Sequence, residues 1–189
     1  SLNQMQQNDK LLPYTLNSAI RGTDFDHATF AATDPGALPT ANADTQVDVL
    51  SFYGSANGKL GDAFTLAFKV RYYDYDNGSS RIEFPGYVRY HGVWEEIGRV
   101  TVPFSYTVED IGADLGWNIG EASRLGLAYN RQSWDRDYRE IEKRDEDVLK
   151  LTYDTRLGAF QIRAFYEMGD RSIGEYSTEA QELSFIHPE

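Results

Sequence analysis

The sequence contains no cysteine among its 189 residues. This absence excludes disulfides, thiolate zinc sites and covalent CxxCH haem attachment within the chain. It also contains no apolar run near the ~18–20 residues that a membrane-spanning helix needs. A chain that crosses a membrane with strands is still possible, since such strands alternate apolar and polar residues and their average hydropathy resembles that of a soluble protein.

Basic residues are in the minority, with 18 Lys and Arg against 30 Asp and Glu and a formal net charge of −12. This balance argues against a nucleic-acid partner, which requires clustered positive charge. The sequence has no basic-then-apolar signal segment, and its last residues, 185–189, form no recognisable element. We therefore expect the chain to be a piece of a longer exported protein.

The strongest local pattern lies in residues 63–76, AFTLAFKVRYYDYD. Apolar or aromatic residues occupy every second position from Phe64 to Tyr72, and small or polar residues lie between them, which predicts a β-strand with one apolar face. The strand is longer than the usual five or six residues of globular proteins. Roughly 9–11 tilted residues cross a bilayer as a strand, so we interpret Tyr72, Tyr73 and Tyr75 as an interfacial aromatic girdle.

Five further segments show strand patterns, which gives six long strands within residues 45–172. The predicted connections at 55–62, 119–123 and 157–159 are short, and Asn57-Gly58 is the turn signal of the first. Residues 1–44, 77–105, 138–145 and 173–189 are predicted to be longer loops, with an optional hairpin near 87–102. Because membrane barrels combine short periplasmic turns with long extracellular loops, we predict an all-β, antiparallel, up-and-down fold that forms part of a transmembrane barrel. Six strands are too few to close such a barrel, for which about eight is the minimum.

The alternation also assigns the two faces of the predicted sheet. The face predicted to contact outer-membrane lipid carries Phe64, Leu66, Phe68, Val70, Ile111, Ala113, Leu115, Leu125, Leu127, Leu149, Leu151 and Ile162. The opposite face combines polar residues with Gly112, Gly116, Gly126 and Ala128, and unpaired charges there would be costly in a dry core. We therefore predict a wet lumen or a wall that contacts a partner protein. The candidate partner contacts are Lys69, Arg71, Asp110, Asp114, Asn118 and Asn130.

Several motifs resemble those of the MtrB/PioB family of decahaem-associated outer-membrane β-barrel proteins. They are residues 70–77, 84–88, 102–107, 134–140 with Glu146-Asp147, 166–167 with 170–171 and, more weakly, 12–17. The resemblance covers most of residues 64–189 and implies a bacterial outer-membrane sheath around a periplasmic multihaem c-type cytochrome, with an extracellular cytochrome often docked outside. It further implies that haem c belongs to the partner, and that the barrel binds no cofactor and is not an enzyme. The chain is shorter than full members and lacks both their amino-terminal region and a final strand that ends in an aromatic residue.

No catalytic or metal constellation stands out. Asp74, Asp76 and Asn77 lack the spacing of a calcium loop, and the histidines 27, 91 and 187 are scattered through predicted loops, so no metal site is assigned. Three functions remain open: the cytochrome sheath, a passive porin or substrate channel, and a soluble β-rich binding module. Ion conductance would distinguish the first two, and extraction without detergent would indicate the third.

Overall fold

The computed structural model describes residues 1–90 and 92–178. Its main feature is one antiparallel sheet of seven strands, ordered β1-β4-β5-β10-β11-β12-β13. These strands are β1 (Leu2–Lys10), β4 (Asn42–Leu60), β5 (Phe64–Asn77), β10 (Tyr106–Ile119), β11 (Ser123–Arg136), β12 (Lys143–Leu157) and β13 (Phe160–Ile173). The short strands β2 (Arg21–Thr23), β3 (Thr29–Ala31), β6 (Glu83–Phe84), β7 (Tyr87–Arg89), β8 (Val93–Glu95) and β9 (Arg99–Val100) form three small pairs, and Pro35–Ala37 is a 3₁₀ turn. The predicted all-β antiparallel fold is confirmed.

The register of the sheet separates two faces. Leu66 pairs with Leu115, Leu115 with Leu127, and Leu127 with Leu151, so one row of leucines crosses four strands. Directly paired residues of antiparallel strands project to the same side, and side chains alternate along each strand. All twelve residues predicted to face lipid therefore lie on one face, which we call the apolar face. The six predicted partner contacts lie on the other, which we call the polar face.

The apolar face carries a band of defined height. On β13 the band runs over alternate residues from Phe160 to Met168, and Asp170 follows on the same face. At ~3.4 Å per residue this span is about 27 Å along the strand, or about 20 Å after the usual tilt of barrel strands. Neighbouring strands also become charged towards their loop ends, at Glu109 and Arg131 for example. The height is close to the ~25 Å apolar belt of outer-membrane barrels.

Three tight turns join the long strands at one end of the sheet. Each contains a glycine with positive φ, Gly61 (62°), Gly120 (65°) and Gly158 (59°), a backbone conformation that glycine adopts without steric cost. The predicted turns at 119–123 and 157–159 are confirmed. The turn predicted at Asn57-Gly58 is wrong, because β4 continues to Leu60 and the chain reverses at Gly61.

The longer connections lie at the opposite end and contain structure of their own. Residues 11–41 and 78–105, which we call the cap, share a cluster of Tyr14, Phe30, Phe84 and Trp94, with ring centroids 5.0 to 6.0 Å apart. Trp94 Nε1 also donates a hydrogen bond to Thr23 Oγ1 at 3.1 Å, which joins the two connections. The optional hairpin is present as the β7–β8 pair, nested inside the β6–β9 pair.

The amino-terminal segment differs from the prediction. Residues 1–44 were expected to lack strands of the sheet, but β1 pairs with β4 from Leu2↔Leu50 to Lys10↔Asn42. Every residue of β1 is exposed, and its sequence, LNQMQQNDK, is polar on both sides. A strand of this kind shows no period-two hydropathy, so the alternation on which the prediction depended could not reveal it.

Few side chains are buried anywhere in the described residues. The buried hydrophobic ones are Ile20, Ala32, Val49 and Val108, and the last two belong to the sheet. No helix in the part of the chain that the structure describes is long and apolar enough to span a membrane. The described residues thus form a single-layer sheet with a small cap, and none of them forms a second layer on the apolar face.

Candidate lumen surface

The polar face brings the predicted contact residues together on neighbouring strands. Arg71 of β5 pairs directly with Asp110 of β10, and Lys69 lies opposite Gly112, whose other neighbour is Asn130 of β11. Lys69 Nζ lies 3.9 Å from Asp110 Oδ1, and their side chains are 48% and 22% exposed. A partly exposed ion pair of this kind contributes little stability. These groups therefore form a hydrated surface rather than a packed core.

Asp114, Asn118 and Asn130 occupy three different environments on this face. Asp114 is exposed and lies between Ala67 and Ala128, two small residues on the adjacent strands. Asn118 is near the turn end, where its Nδ2 donates a hydrogen bond to the carbonyl of Asp62 at 3.3 Å. The Oδ1 atom of Asn130 is buried and accepts no hydrogen bond from any residue that the structure describes. The six residues thus share a face but do not form one compact site.

Two glycines of the polar face lie beneath side chains of neighbouring strands. A Cβ atom at Gly112 would lie 2.2 Å from Cε of Lys69. A Cβ atom at Gly116 would likewise lie 2.5 Å from a guanidinium nitrogen of Arg124, which donates a hydrogen bond to Thr65 Oγ1 at 2.9 Å. Long basic side chains of the same sheet therefore fill the space over Gly112 and Gly116.

The predicted tyrosine girdle is divided between the two faces. Tyr72 lies on the apolar face, whereas Tyr73 and Tyr75 project to the polar face and stack on Tyr106, with centroids 5.8 and 5.2 Å away. The interpretation of all three as one girdle is wrong because consecutive tyrosines on a strand point to opposite sides. On the apolar face, Phe64 stacks with Trp117 at 6.0 Å near the turn end. Tyr129 lies on that face in the middle of β11, where its hydroxyl donates a hydrogen bond to Asp147.

The comparison with family models covers almost the whole chain. The model described as "Putative outer membrane beta-barrel porin, MtrB/PioB" matches residues 1–185. The chain belongs to the MtrB/PioB family. The resemblance seen in the sequence motifs is thereby confirmed. No curated protein matches the chain significantly.

Membership of the MtrB/PioB family explains the two-faced sheet. The family is one of outer-membrane β-barrel porins and is not an enzyme family, so the outer membrane is the expected location of the chain. A barrel wall needs an apolar outer face against lipid and a polar inner face against the lumen. The apolar face of this MtrB/PioB member meets the first requirement, and the polar face meets the second.

Several charged residues of the polar face of this MtrB/PioB member, on β12 and β13, were not among the predicted partner contacts. Three cross-strand ion pairs join β12 to β13: Lys150 with Glu167, at 3.2 Å, Asp154 with Arg163, at 2.5 Å, and Glu146 with Arg171, at 2.9 Å. The alternation had already placed apolar Leu149, Leu151 and Ile162 on the opposite face. The signal was therefore present, since the residues between apolar positions are the inward ones.

The weak metal candidates take part in ordinary contacts. Asp74 Oδ1 accepts a hydrogen bond from Thr107 Oγ1 at 2.9 Å, and Asp76 Oδ1 accepts one from Ser105 Oγ at 3.4 Å. Within residues 1–90 and 92–178, no three His, Cys, Asp or Glu side chains group as metal ligands would. His91 and His187 lie outside the described residues.

Proposed function

We propose that this chain forms part of the wall of a bacterial outer-membrane barrel that encloses a periplasmic multihaem c-type cytochrome. The cytochrome carries the haem c groups and conducts electrons across the membrane, and an extracellular cytochrome docks at the loop end. In this proposal the barrel excludes lipid from the cytochrome and holds it in place, but performs no chemistry. The MtrB/PioB membership and the character of the polar face support the proposal.

The observation that carries the proposal is the contrast between the two faces of the same strands. Large apolar side chains of the apolar face are uncovered, including Phe68 (55% exposed), Ile111 (52%) and Ile162 (46%). Soluble monomeric proteins rarely expose a contiguous apolar surface that extends over several strands, so the apolar face requires lipid or protein to cover it. The opposite face of these strands carries cross-strand ion pairs that need water or a polar partner.

The polar face suits a large partner better than a small ligand. Its ion pairs are distributed over β5, β10, β12 and β13, and one side chain of each pair is 48 to 66% exposed. A partner that rests on such a surface makes many weak, water-mediated contacts, none of which dominates. Single polar substitutions on this face should therefore change partner binding little.

The proposal is tested with a pair of adjacent substitutions in the full-length protein. Asp114→Trp adds a bulky ring at an exposed position of the polar face, between the small residues Ala67 and Ala128. Leu115→Trp is the matched control, because it places the same ring on the apolar face. Haem absorbance per barrel in the detergent-solubilised complex should fall for Asp114→Trp and stay unchanged for Leu115→Trp. A wild-type barrel that purifies gently without any haem protein would contradict the proposal.

A passive porin is the second candidate, and the family description favours it directly. A purified full-length barrel that conducts ions steadily across a planar bilayer would support this function, since a cytochrome in the lumen would block the current. A soluble binding module is the third candidate. The exposed apolar band makes it less favourable, and recovery of the protein without detergent would be required to support it.

A further inference from the structure

A groove of about 940 Å³ lies on the polar face at the loop end of β5 and β10 to β13, and none of the six candidate partner contacts lines it. Its floor is a row of aromatic rings from three adjacent strands: Tyr75, Tyr106 and Trp134. The centroid distances are 5.2 Å between the tyrosines and 5.9 Å between Tyr106 and Trp134, with interplanar angles of 16° and 24°. The ring planes are nearly parallel and the centroids are too close for rings that lie side by side in one plane, so the three rings form an offset stack, which we call the ring platform.

Arginine side chains surround this platform. The guanidinium carbons of Arg136 and Arg144 lie 5.4 and 5.5 Å from the centre of the Trp134 ring. The Nε atom of each is buried, yet neither has a hydrogen-bond partner among the described residues. A buried donor without a partner is costly, so both positions favour an acceptor that residues 1–90 and 92–178 do not supply.

Neighbouring polar groups hold the platform and its arginines in position. Gln132 Oε1 accepts hydrogen bonds from Trp134 Nε1 at 2.8 Å and from Arg144 at 2.9 Å. Glu146 accepts two hydrogen bonds from Arg171, at 2.9 and 3.1 Å. Groups fixed in this way lose little entropy when a ligand binds, which is a property of preorganised sites.

The charge of the groove is opposite to that of the chain. Four arginines and one glutamate line it, although the whole chain has a formal net charge of −12. Arg171 and Arg144 both pair with Glu146, at 2.9 and 3.9 Å, whereas Arg136 and Arg139 make no ion pair with any residue that the structure describes. Arg139 instead lies over the ring of Phe104, 4.4 Å from its centre. Positive charge therefore remains available for an anion.

We propose that this arginine groove binds a small planar aromatic carboxylate. The ring platform suits an aromatic ligand, because aromatic rings pack favourably in offset-stacked or edge-to-face contacts. The guanidinium groups beside it match a carboxylate, which arginine binds with two parallel hydrogen bonds. The volume lies within the ~300–1,000 Å³ that is typical of small-molecule sites. The proposal does not depend on what fills the lumen, since the groove belongs to the loop end of the sheet.

The test is calorimetric titration of the full-length protein in detergent with 2-naphthoate, with empty micelles as the blank. Cyclohexanecarboxylate and 2-naphthalenemethanol separate the contributions of the carboxylate and the ring, and both should bind at least about tenfold more weakly than 2-naphthoate. Arg136→Gln should weaken 2-naphthoate binding by about tenfold or more, the usual effect of losing a charge-assisted hydrogen bond. Arg163→Gln, a matched loss of an arginine near the turn end of the same face, should leave it unchanged.

Trp134→Leu should abolish binding of 2-naphthoate. If Trp134→Leu does not fold, Arg139→Gln replaces it and should weaken binding. Arg139 is exposed on the loop after β11, so its replacement should not prevent folding. Equal affinities for 2-naphthoate and cyclohexanecarboxylate would overturn the proposal. So would unchanged binding in Arg136→Gln, absence of binding up to millimolar concentrations, or binding of an acidic aromatic peptide but not of 2-naphthoate.

Discussion

An arginine at position 115 should impair the protein far more than an arginine at position 114. Leu115 is the central member of five alternate apolar-face residues on β10, from Ile111 to Ile119, and lies between Leu66 and Leu127. Each end of this series is four residues away, about 13 Å at ~3.3 Å per residue. An arginine side chain cannot cover that distance, so its charge would stay within the hydrocarbon.

The expected cost of Leu115→Arg is about 2–4 kcal/mol, the range for arginine near the midplane on the lipid face of a barrel. That cost lowers the equilibrium constant for folding by about 30- to 1,000-fold. Asp114→Arg changes the neighbouring residue on the hydrated face, where charged groups already lie, and should cost less than about 1 kcal/mol.

Both free energies can be measured by denaturant titration of the full-length protein folded into lipid vesicles, with the heat-dependent gel shift of folded barrels as an independent readout. Equal destabilisation by the two arginines would refute the face assignment, and a larger effect at Asp114 would reverse it.

Three further predictions concern the turns and the cap. Protease added to intact cells should cleave within 78–105 but not within 120–122, as peptide mapping would show, and cleavage at the tight turn would refute the orientation. Gly120→Ala should cost about 1–2 kcal/mol in a denaturant titration because φ is positive there, whereas Gly58→Ala, in open space and without positive φ, should be neutral. Burial raises the pKa of Tyr14 to about 12. Between pH ~10 and 12 only the unfolded form of the cap loses this proton, so the stability of the cap should be full below pH ~10 and fall as the pH rises towards 12. Hydrogen exchange of the cap measures this fall. Tyr14→Phe should abolish this fall. It should not destabilise the cap at neutral pH, because the Tyr14 hydroxyl makes no hydrogen bond to a described residue. A fall that persists in the variant would exclude Tyr14 as its cause.

The sequence predicted the long strands and their faces because one physical rule governs both. A β-sheet wall between lipid and water requires apolar and polar residues to alternate along each strand. Residues Phe64 to Val70 show this alternation directly. The alternation gives no signal for β1, where both faces are polar. Asn57-Gly58 failed for a different reason, because this common turn signal lies within β4 here. The better signal was the repeat of Leu60-Gly61-Asp62-Ala63 as Ile119-Gly120-Glu121-Ala122.

The candidate site was less predictable than the fold, because side-chain contacts across strands depend on register. Nothing in the local sequence shows that Arg124 lies over Gly116, or that Trp134 and Arg144 share the oxygen of Gln132. The tyrosines of β5 show the same limit. Their spacing indicates two faces, but only the pairing of β5 with β10 reveals that Tyr75 stacks on Tyr106.

The central claim, that this sheet is a barrel wall with lipid on one face and an aqueous lumen on the other, can be tested along β10. Single cysteines at positions 110 to 118 of the full-length protein can be spin-labelled once any cysteines outside residues 1–189 are replaced, since this chain contains none. In membranes, collision with oxygen should be high at 111, 113, 115 and 117, and collision with a water-soluble nickel complex should be high at 110, 114 and 118. Water accessibility that is equal at odd and even positions would contradict the account.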